Sequence, residues 1–180
     1  SSPGRRSIVS SDARASVGDA TSTNAARDRH AIGWGRLTRR DWLALIFVVG
    51  LILRIGLHRI PPGICVADAG DLQLAATLLG IPHPPGYAAY VSLSHLVTLI
   101  PGVEPALAVS ALCFGVGVIA LLLAALISIR LGAHPLVAAA ASLALTAHPR
   151  VWQNLTTPEV YSFSIAFSLG AAYALIRHLA

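Results

Sequence analysis

Five apolar runs separated by short polar breaks occupy the chain from Asp41 onward, and they decide what it can fold into. They cover residues 41–57, 86–100, 103–129, 136–147 and 160–176. A soluble domain carries about 25% charged residues, which it needs to cover its surface. This chain carries 12%, with 55% hydrophobic residues and a mean hydropathy of +0.69. So little polar surface cannot clothe a globule in water, so the expected fold is all-α, a polytopic transmembrane helix bundle. No run alternates apolar with polar residues in the manner of a strand, which excludes a membrane barrel. The run at 103–129 spans with ease. The run at 86–100 is short, and the Ala-rich run at 136–147 is expected inside the bundle rather than against lipid. Gly115, Gly117 and Gly170, with Ser162, Ser164 and Ser168, favour close helix contacts.

Charge is concentrated ahead of the first run. Arg5, Arg6, Arg14, Arg27, Arg29, Arg36, Arg39 and Arg40 all precede it, and the formal net charge is +5. Residues 1–40 lack apolar periodicity and read as a disordered basic tail, held on the cytoplasmic side by its arginines. Without aromatic interleaving or a recognition motif, these arginines do not indicate a nucleic-acid partner. Residues 41–180 form the membrane domain. The chain has no Met, even at position 1, and is expected to be the N-terminal piece of a longer protein. Cys65 and Cys113 read as small apolar fillers, not as a disulfide.

Two polar breaks carry the chemistry. The first runs from Ile60 to Tyr90. Within it, Asp68-Ala69-Gly70-Asp71 precedes a Leu/Ala-rich segment ending at Gly80-Ile81-Pro82. The pattern predicts a short helix, with Asp68 at its N-cap, Asp71 at the third position and Gly80 as the stop. Leu72, Leu74, Leu78 and Leu79 would rest in the membrane interface, so this helix should lie along the bilayer in the first external loop. The two carboxylates either only start that helix or place a general base at the membrane surface. In His83-Pro84-Pro85-Gly86-Tyr87, two prolines stiffen the backbone and Gly86 permits positive φ. That turn is either a rigid entry to the next helix or a way to set His83 and Tyr87 against a phosphate or a sugar.

The second break runs from His148 to Tyr161. Glu159 is its only acid, expected just inside the next helix, with Thr157 as N-cap and Pro158 at the first helical position. Arg54, near the end of the first run, either snorkels or pairs with an acid, or binds an anionic lipid phosphate. Arg150 is a second candidate for that phosphate. His95 should pack against a neighbouring helix. The histidines lack metal-ligand spacing, so no metal site or other cofactor is expected, although the carboxylates leave room for a loosely held divalent ion.

These motifs together carry a resemblance. The acid-small-Gly-acid step at 68–71, the Leu79-Gly80-Ile81-Pro82-His83-Pro84-Pro85-Gly86-Tyr87 run and Pro158-Glu159-Val160-Tyr161-Ser162 resemble a bacterial membrane-protein family. That family is similar to the vertebrate transmembrane O-mannosyltransferase, of the GT-C class of glycosyltransferases. The match covers about residues 41–180. Ala69 and Ala88 depart from it, where Ser and Pro are frequent.

The resemblance implies a membrane glycosyltransferase of the bacterial inner membrane. It would move a sugar from a polyprenyl-phosphate donor to a hydroxyl of a protein or glycan acceptor on the non-cytoplasmic side. Asp68 would be the catalytic base, with Asp71 as its partner or alternative. Glu159 would be a second acid, with Tyr161 beside it in the same motif. A transporter or flippase fragment, and a non-catalytic membrane scaffold, are the competing readings. The position of the acids at the ends of apolar runs favours chemistry at the interface over a mid-membrane transport path.

Topology sets a conflict. A cytoplasmic tail puts Asp68 outside, and five full spans would then put Glu159 on the opposite side. If both acids serve one site, one run must fail to cross, and the short run at 86–100 is the expected exception.

Overall fold

The computed structural model describes residues 37–179. The expectations for Arg5, Arg6, Arg14, Arg27, Arg29 and Arg36 fall outside them. The described chain is all-α. Its helices are α1 (Arg39–Gly56), α2 (Asp68–Leu78), α3 (Ala88–Thr98), α4 (Pro105–Arg130), α5 (Pro135–Thr146), α6 (Pro149–Thr156) and α7 (Val160–His178). Two of these, α4 and α7, are long and apolar enough to cross a membrane.

The first helix starts inside the stretch expected to be tail. Thr38 caps it: the Asp41 amide donates to the Thr38 hydroxyl at 3.3 Å, and the Asp41 carboxylate accepts the Thr38 amide at 2.7 Å. This reciprocal pair satisfies two of the donors a helix start leaves open. Arg39 and Arg40 therefore belong to the first turn of α1. Helices α4, α5 and α6 share another start, an acceptor side chain at the N-cap followed by proline. Glu104 accepts from the Leu107 amide at 2.7 Å, and His134 and His148 accept through Nδ1 from the amides of Leu136 and Arg150, each at 3.3 Å. Proline loses nothing at such a position, because its missing N–H would have had no partner. Helix α6 lies within the stretch read as a polar break. It also encloses Asn154-Leu155-Thr156, with Thr156 buried and its hydroxyl donating to the Trp152 carbonyl.

Helix α4 is the axis. Leu45, Ala125, Ile129, Ala138 and Ala139 form the cluster at its C-terminal end. Ile52, Phe114, Val118, Leu121 and Leu155 form the middle. Leu72, Tyr90, Val109, Cys113 and Phe163 form the cluster at its N-terminal end. These pairings make α1 and α5 antiparallel to α4. Helix α7 runs parallel to α4, since Gly117 approaches Ser162 and Gly170 approaches Leu123. Gly56 lies so close to the Phe114 ring that a Cβ there would overlap it, and one at Gly117 would overlap Leu155. Gly115 faces open space, so it does not serve the contact expected of it. Helix α5 buries Ala138, Ala139 and Ser142 and packs Leu143 against the middle cluster, but leaves Leu136, Val137 and Leu145 exposed, contrary to the interior placement expected.

Helix α3, in the short run at 86–100, is too short to cross a membrane. Its 11 residues rise about 16 Å at 1.5 Å per residue, roughly half of a bilayer's hydrocarbon core. It packs on α2 and on the start of α4 and does not form a span. As expected, His95 reaches a neighbouring helix: its Nδ1 lies 2.8 Å from the Ala76 carbonyl of α2.

Gln73 holds this end together. It is 2% exposed and sits in the middle of the Leu/Ala-rich α2. Its Oε1 accepts the Cys65 amide at 2.8 Å, and its Nε2 donates to the Ala106 carbonyl and the Ser110 hydroxyl, each at 3.0 Å. One side chain thus joins the 63–65 loop, α2 and α4. Gln73→Leu should leave the Cys65 amide stranded. The Ala106 carbonyl would keep its bond from Ser110 at 2.9 Å. Thermal unfolding of the solubilised protein should register a loss of about 1–3 kcal/mol, the cost of one orphaned buried polar group.

Candidate active site

The site is built around the start of α2. Ala67 precedes it with φ +57°, an unusual value for a residue carrying a Cβ. Its carbonyl accepts the amides of Gly70 at 3.0 Å and Asp71 at 3.3 Å. Gly70 is required by close approach, because a Cβ there would strike the Cys65 carbonyl. The cap therefore differs from the one expected. Asp68 is the first helical residue and makes no capping bond, Ala67 holds the N-cap position, and Asp71 lies one position deeper than predicted. At the other end Leu79, not Gly80, adopts the left-handed conformation, at φ +53°. Of the four leucines expected at an interface, Leu72 is buried in the core, while Leu74, Leu78 and Leu79 are exposed.

The Asp71 carboxylate is used elsewhere. Its Oδ2 accepts the His83 amide at 3.1 Å and lies 2.9 Å from His83 Nδ1. The proline turn makes this pairing possible. Gly86 at φ +88° and Tyr87 at φ +42° fold residues 83–87 back, and the Gly86 amide closes the turn on the His83 carbonyl at 3.1 Å. The Tyr87 ring stands edge-on to the imidazole, with centroids 5.8 Å apart. Asp71 and His83 thus tie the proline turn to α2, and Asp71 is less free to act as a base than Asp68.

Asp68 and Glu159 line one open pocket of about 430 Å³, together with Cys65, Ala67, Gln153 and Thr157. The acids of the two breaks, 91 positions apart, therefore meet at one end of the bundle. Glu159 is at the N-cap position of α7 without a capping bond, so its carboxyl is available to the pocket. This corrects the expected start of that helix. Thr157 ends α6, Pro158 is buried between the two helices in sequence, and α7 begins only at Val160.

Electrostatics join these groups into one cluster. Partial burial, and then the charge of Asp68, push the Glu159 carboxyl above its usual range, with His83 opposing. The Asp71 bond raises His83, helped by the charges of Asp68, Asp71 and Glu159 and opposed by burial. The bonds from His83 lower Asp71. Two carboxyls whose proton affinities differ, beside an imidazole biased toward its charged form, are equipped for proton transfer and for holding an anion.

The structure does not bring every expected residue to this pocket. Arg54 is exposed on α1 and Arg150 is exposed at the start of α6. Tyr161 is 56% exposed and is not in the pocket lining. Among the described residues no group of three His, Cys, Asp or Glu side chains is placed to hold a metal ion. Gln73 and the glycine contact at Gly70 escaped the sequence reading. Gln73 left one trace, a long polar side chain between two leucines.

The two membrane-length helices, α4 and α7, thus both begin at the end of the bundle that holds the acidic pocket. The family profile described as the protein O-mannosyl-transferase TMEM260 N-terminal domain matches residues 68–179, and the chain belongs to that family. It is 30% identical over 135 residues to the mouse protein O-mannosyl-transferase TMEM260, covering 74% of this chain. The chain spans 19% of that relative's length. No solved structure matches. The matched segment begins at Asp68 and contains Asp71, His83 and Glu159.

The Asp71–His83 pair sets a pH window. Asp71 is lowered from its ordinary 3.8, so its share of the stabilisation is complete above that value and disappears as pH falls through the lowered one. His83 is raised from its ordinary 6.5, so its share is complete below 6.5 and disappears as pH rises through the raised value. Stability from the pair should be greatest between 3.8 and 6.5. In Asp71→Asn, NMR titration of the His83 ring should show its midpoint falling. An unchanged midpoint would mean that the pair does not form in solution.

Proposed function

We propose that this chain is the N-terminal part of a membrane glycosyltransferase with O-mannosyltransferase-like chemistry. Asp68 and Glu159 together in one pocket are the observation that carries this reading. In it, α1, α4 and α7 cross the bilayer, the shorter α5 and α6 together carry the chain back between α4 and α7, and α3 does not cross. A cytoplasmic N-terminus then puts the pocket on the non-cytoplasmic side, where a polyprenyl-phosphate-linked sugar presents its headgroup.

The proposed step is a single displacement. Asp68 takes the proton from an acceptor hydroxyl on a protein or glycan. The oxygen attacks the anomeric carbon with inversion, the bond to the lipid phosphate breaks, and the lipid phosphate leaves with the electron pair. Asp68 suits this role because its carboxylate has no partner among the described residues and belongs to a rigid helix start. Glu159, with its raised proton affinity, hydrogen-bonds a sugar hydroxyl on the other side of the pocket. His83, biased toward its charged form and beside Tyr87, is outside the pocket lining and in this reading contacts the phosphate or the sugar from its edge.

Asp68→Asn in the full-length protein should reduce transfer from a radiolabelled polyprenyl-phosphate sugar by about a hundredfold or more, the typical worth of a general base. Expression and membrane insertion should stay normal. Glu159→Gln should weaken transfer less, because the amide still donates a hydrogen bond. Unchanged transfer in Asp68→Asn would leave the chain a scaffold.

A further inference from the structure

A second cleft at the same end of the bundle has different chemistry. It is open, has a volume of about 470 Å³, and lies between α1, α5 and α6. Leu51, Ile55, Leu143 and Ala147 give it apolar walls. Its polar features are the Arg59 guanidinium, the Trp152 ring and the Thr146 hydroxyl, which donates to the Leu143 carbonyl at 2.6 Å. No residue is shared with the lining of the acidic pocket.

The charge in this cleft is unbalanced. The Arg59 guanidinium makes no hydrogen bond or ion pair among the described residues. The acids at this end face elsewhere, Asp68 and Glu159 into their own pocket, Asp71 to His83 and Glu104 to the Leu107 amide at the start of α4. Arg54, in the last turn of α1, is a second cation outside the cleft lining. With Leu51 and Ile55 it falls at the three- and four-residue spacing that puts side chains on one helix face, and it is equally unpaired among the described residues.

We propose that this cleft binds an anionic glycerophospholipid, with Arg59 on the phosphate and an acyl chain along Leu51, Ile55 and Leu143. A cation above apolar walls, where membrane helices emerge, is complementary to a phosphate carried on a hydrocarbon chain. Guanidinium binds phosphate oxygens through two parallel N–H bonds, which a lipid phosphodiester can accept. The Trp152 ring, apolar with one polar edge, suits the same boundary. No carboxylate or carboxamide lines the cleft to recognise sugar hydroxyls, which favours an ordinary phospholipid over a sugar-bearing donor.

Native mass spectrometry of the full chain, titrated with palmitoyl-oleoyl phosphatidylglycerol or phosphatidylcholine, tests this. Phosphatidylglycerol should be retained over phosphatidylcholine, and Arg59→Ala should cut that preference by about fivefold, the contribution of one basic residue near a membrane surface. Arg59→Lys should keep most of it. Ala147→Trp, which fills the cleft and leaves Arg59 in place, should reduce retention of both lipids. Asp68→Asn should change neither, so failure here is distinguishable from failure of the glycosyltransferase reading. The proposal is overturned by a preference that survives Arg59→Ala, by retention that survives Ala147→Trp, or by polyprenyl phosphate displacing phosphatidylglycerol through Arg59. The last result would make the cleft a donor site.

Discussion

The buried Gln73 amide determines where the rest of the acidic end can lie. A carboxamide has one acceptor and two donors, and this one uses both kinds across three chain segments. In a low-dielectric surrounding each such bond is strong, and each one left unmade is costly. The loop at 63–65, the axis of α2 and the start of α4 are therefore fixed relative to one another. With α2 fixed, Asp68 and Asp71 have fixed positions as well. The contact of Gly70 with the Cys65 carbonyl tightens the same joint and leaves no room for a side chain.

Around that joint the chain divides the work of its acids. Asp71 is consumed in holding His83, which anchors the proline turn and the start of α3. Asp68, one turn earlier, is left open toward Glu159. The strained backbone at Ala67 directly precedes Asp68, and a positive φ at a residue with a Cβ costs of order 1–3 kcal/mol. The two carbonyl-accepted amides of Gly70 and Asp71 hold it there. Fixed geometry next to an unpaired carboxylate fits a group meant to act on something else.

The shortness of α3 has the widest consequence. Because it turns back without forming a span, α4 starts at the end of the bundle that holds α2. Helix α7, parallel to α4, starts there too, and Glu159 comes with it. A full-length helix in place of α3 would have sent Glu159 to the far end and dissolved the cluster. Pro84-Pro85 before it and Pro101-Gly102 after it restrict the run to 11 helical residues.

Much of this was legible in the residues alone. The apolar runs and the short helix after Asp68 follow from local rules, since hydrophobic patterning and proline act over a few positions. The residues given roles in the proposed chemistry were also visible, because Asp68, Asp71, His83 and Glu159 stand in polar breaks within an apolar chain. Capping departs from the local pattern: Asp68 makes no capping bond, and Thr157 ends α6 instead of starting α7. A carboxylate expected to cap can find its partner outside its own helix. Asp71 bonding His83, 12 positions away, is such a case.

What the sequence by itself determined is the helical class, the apolar character and the inventory of reactive side chains, all properties of neighbouring residues. Only the tertiary structure decided that Asp68 and Glu159 share a pocket, that Asp71 does not join them, and that Arg59 rather than Arg54 or Arg150 faces a cleft. The reason is physical: such meetings depend on the relative position of whole helices. That position is set by buried contacts such as Gln73 with Ala106 and Gly56 with Phe114, whose partners lie tens of residues apart.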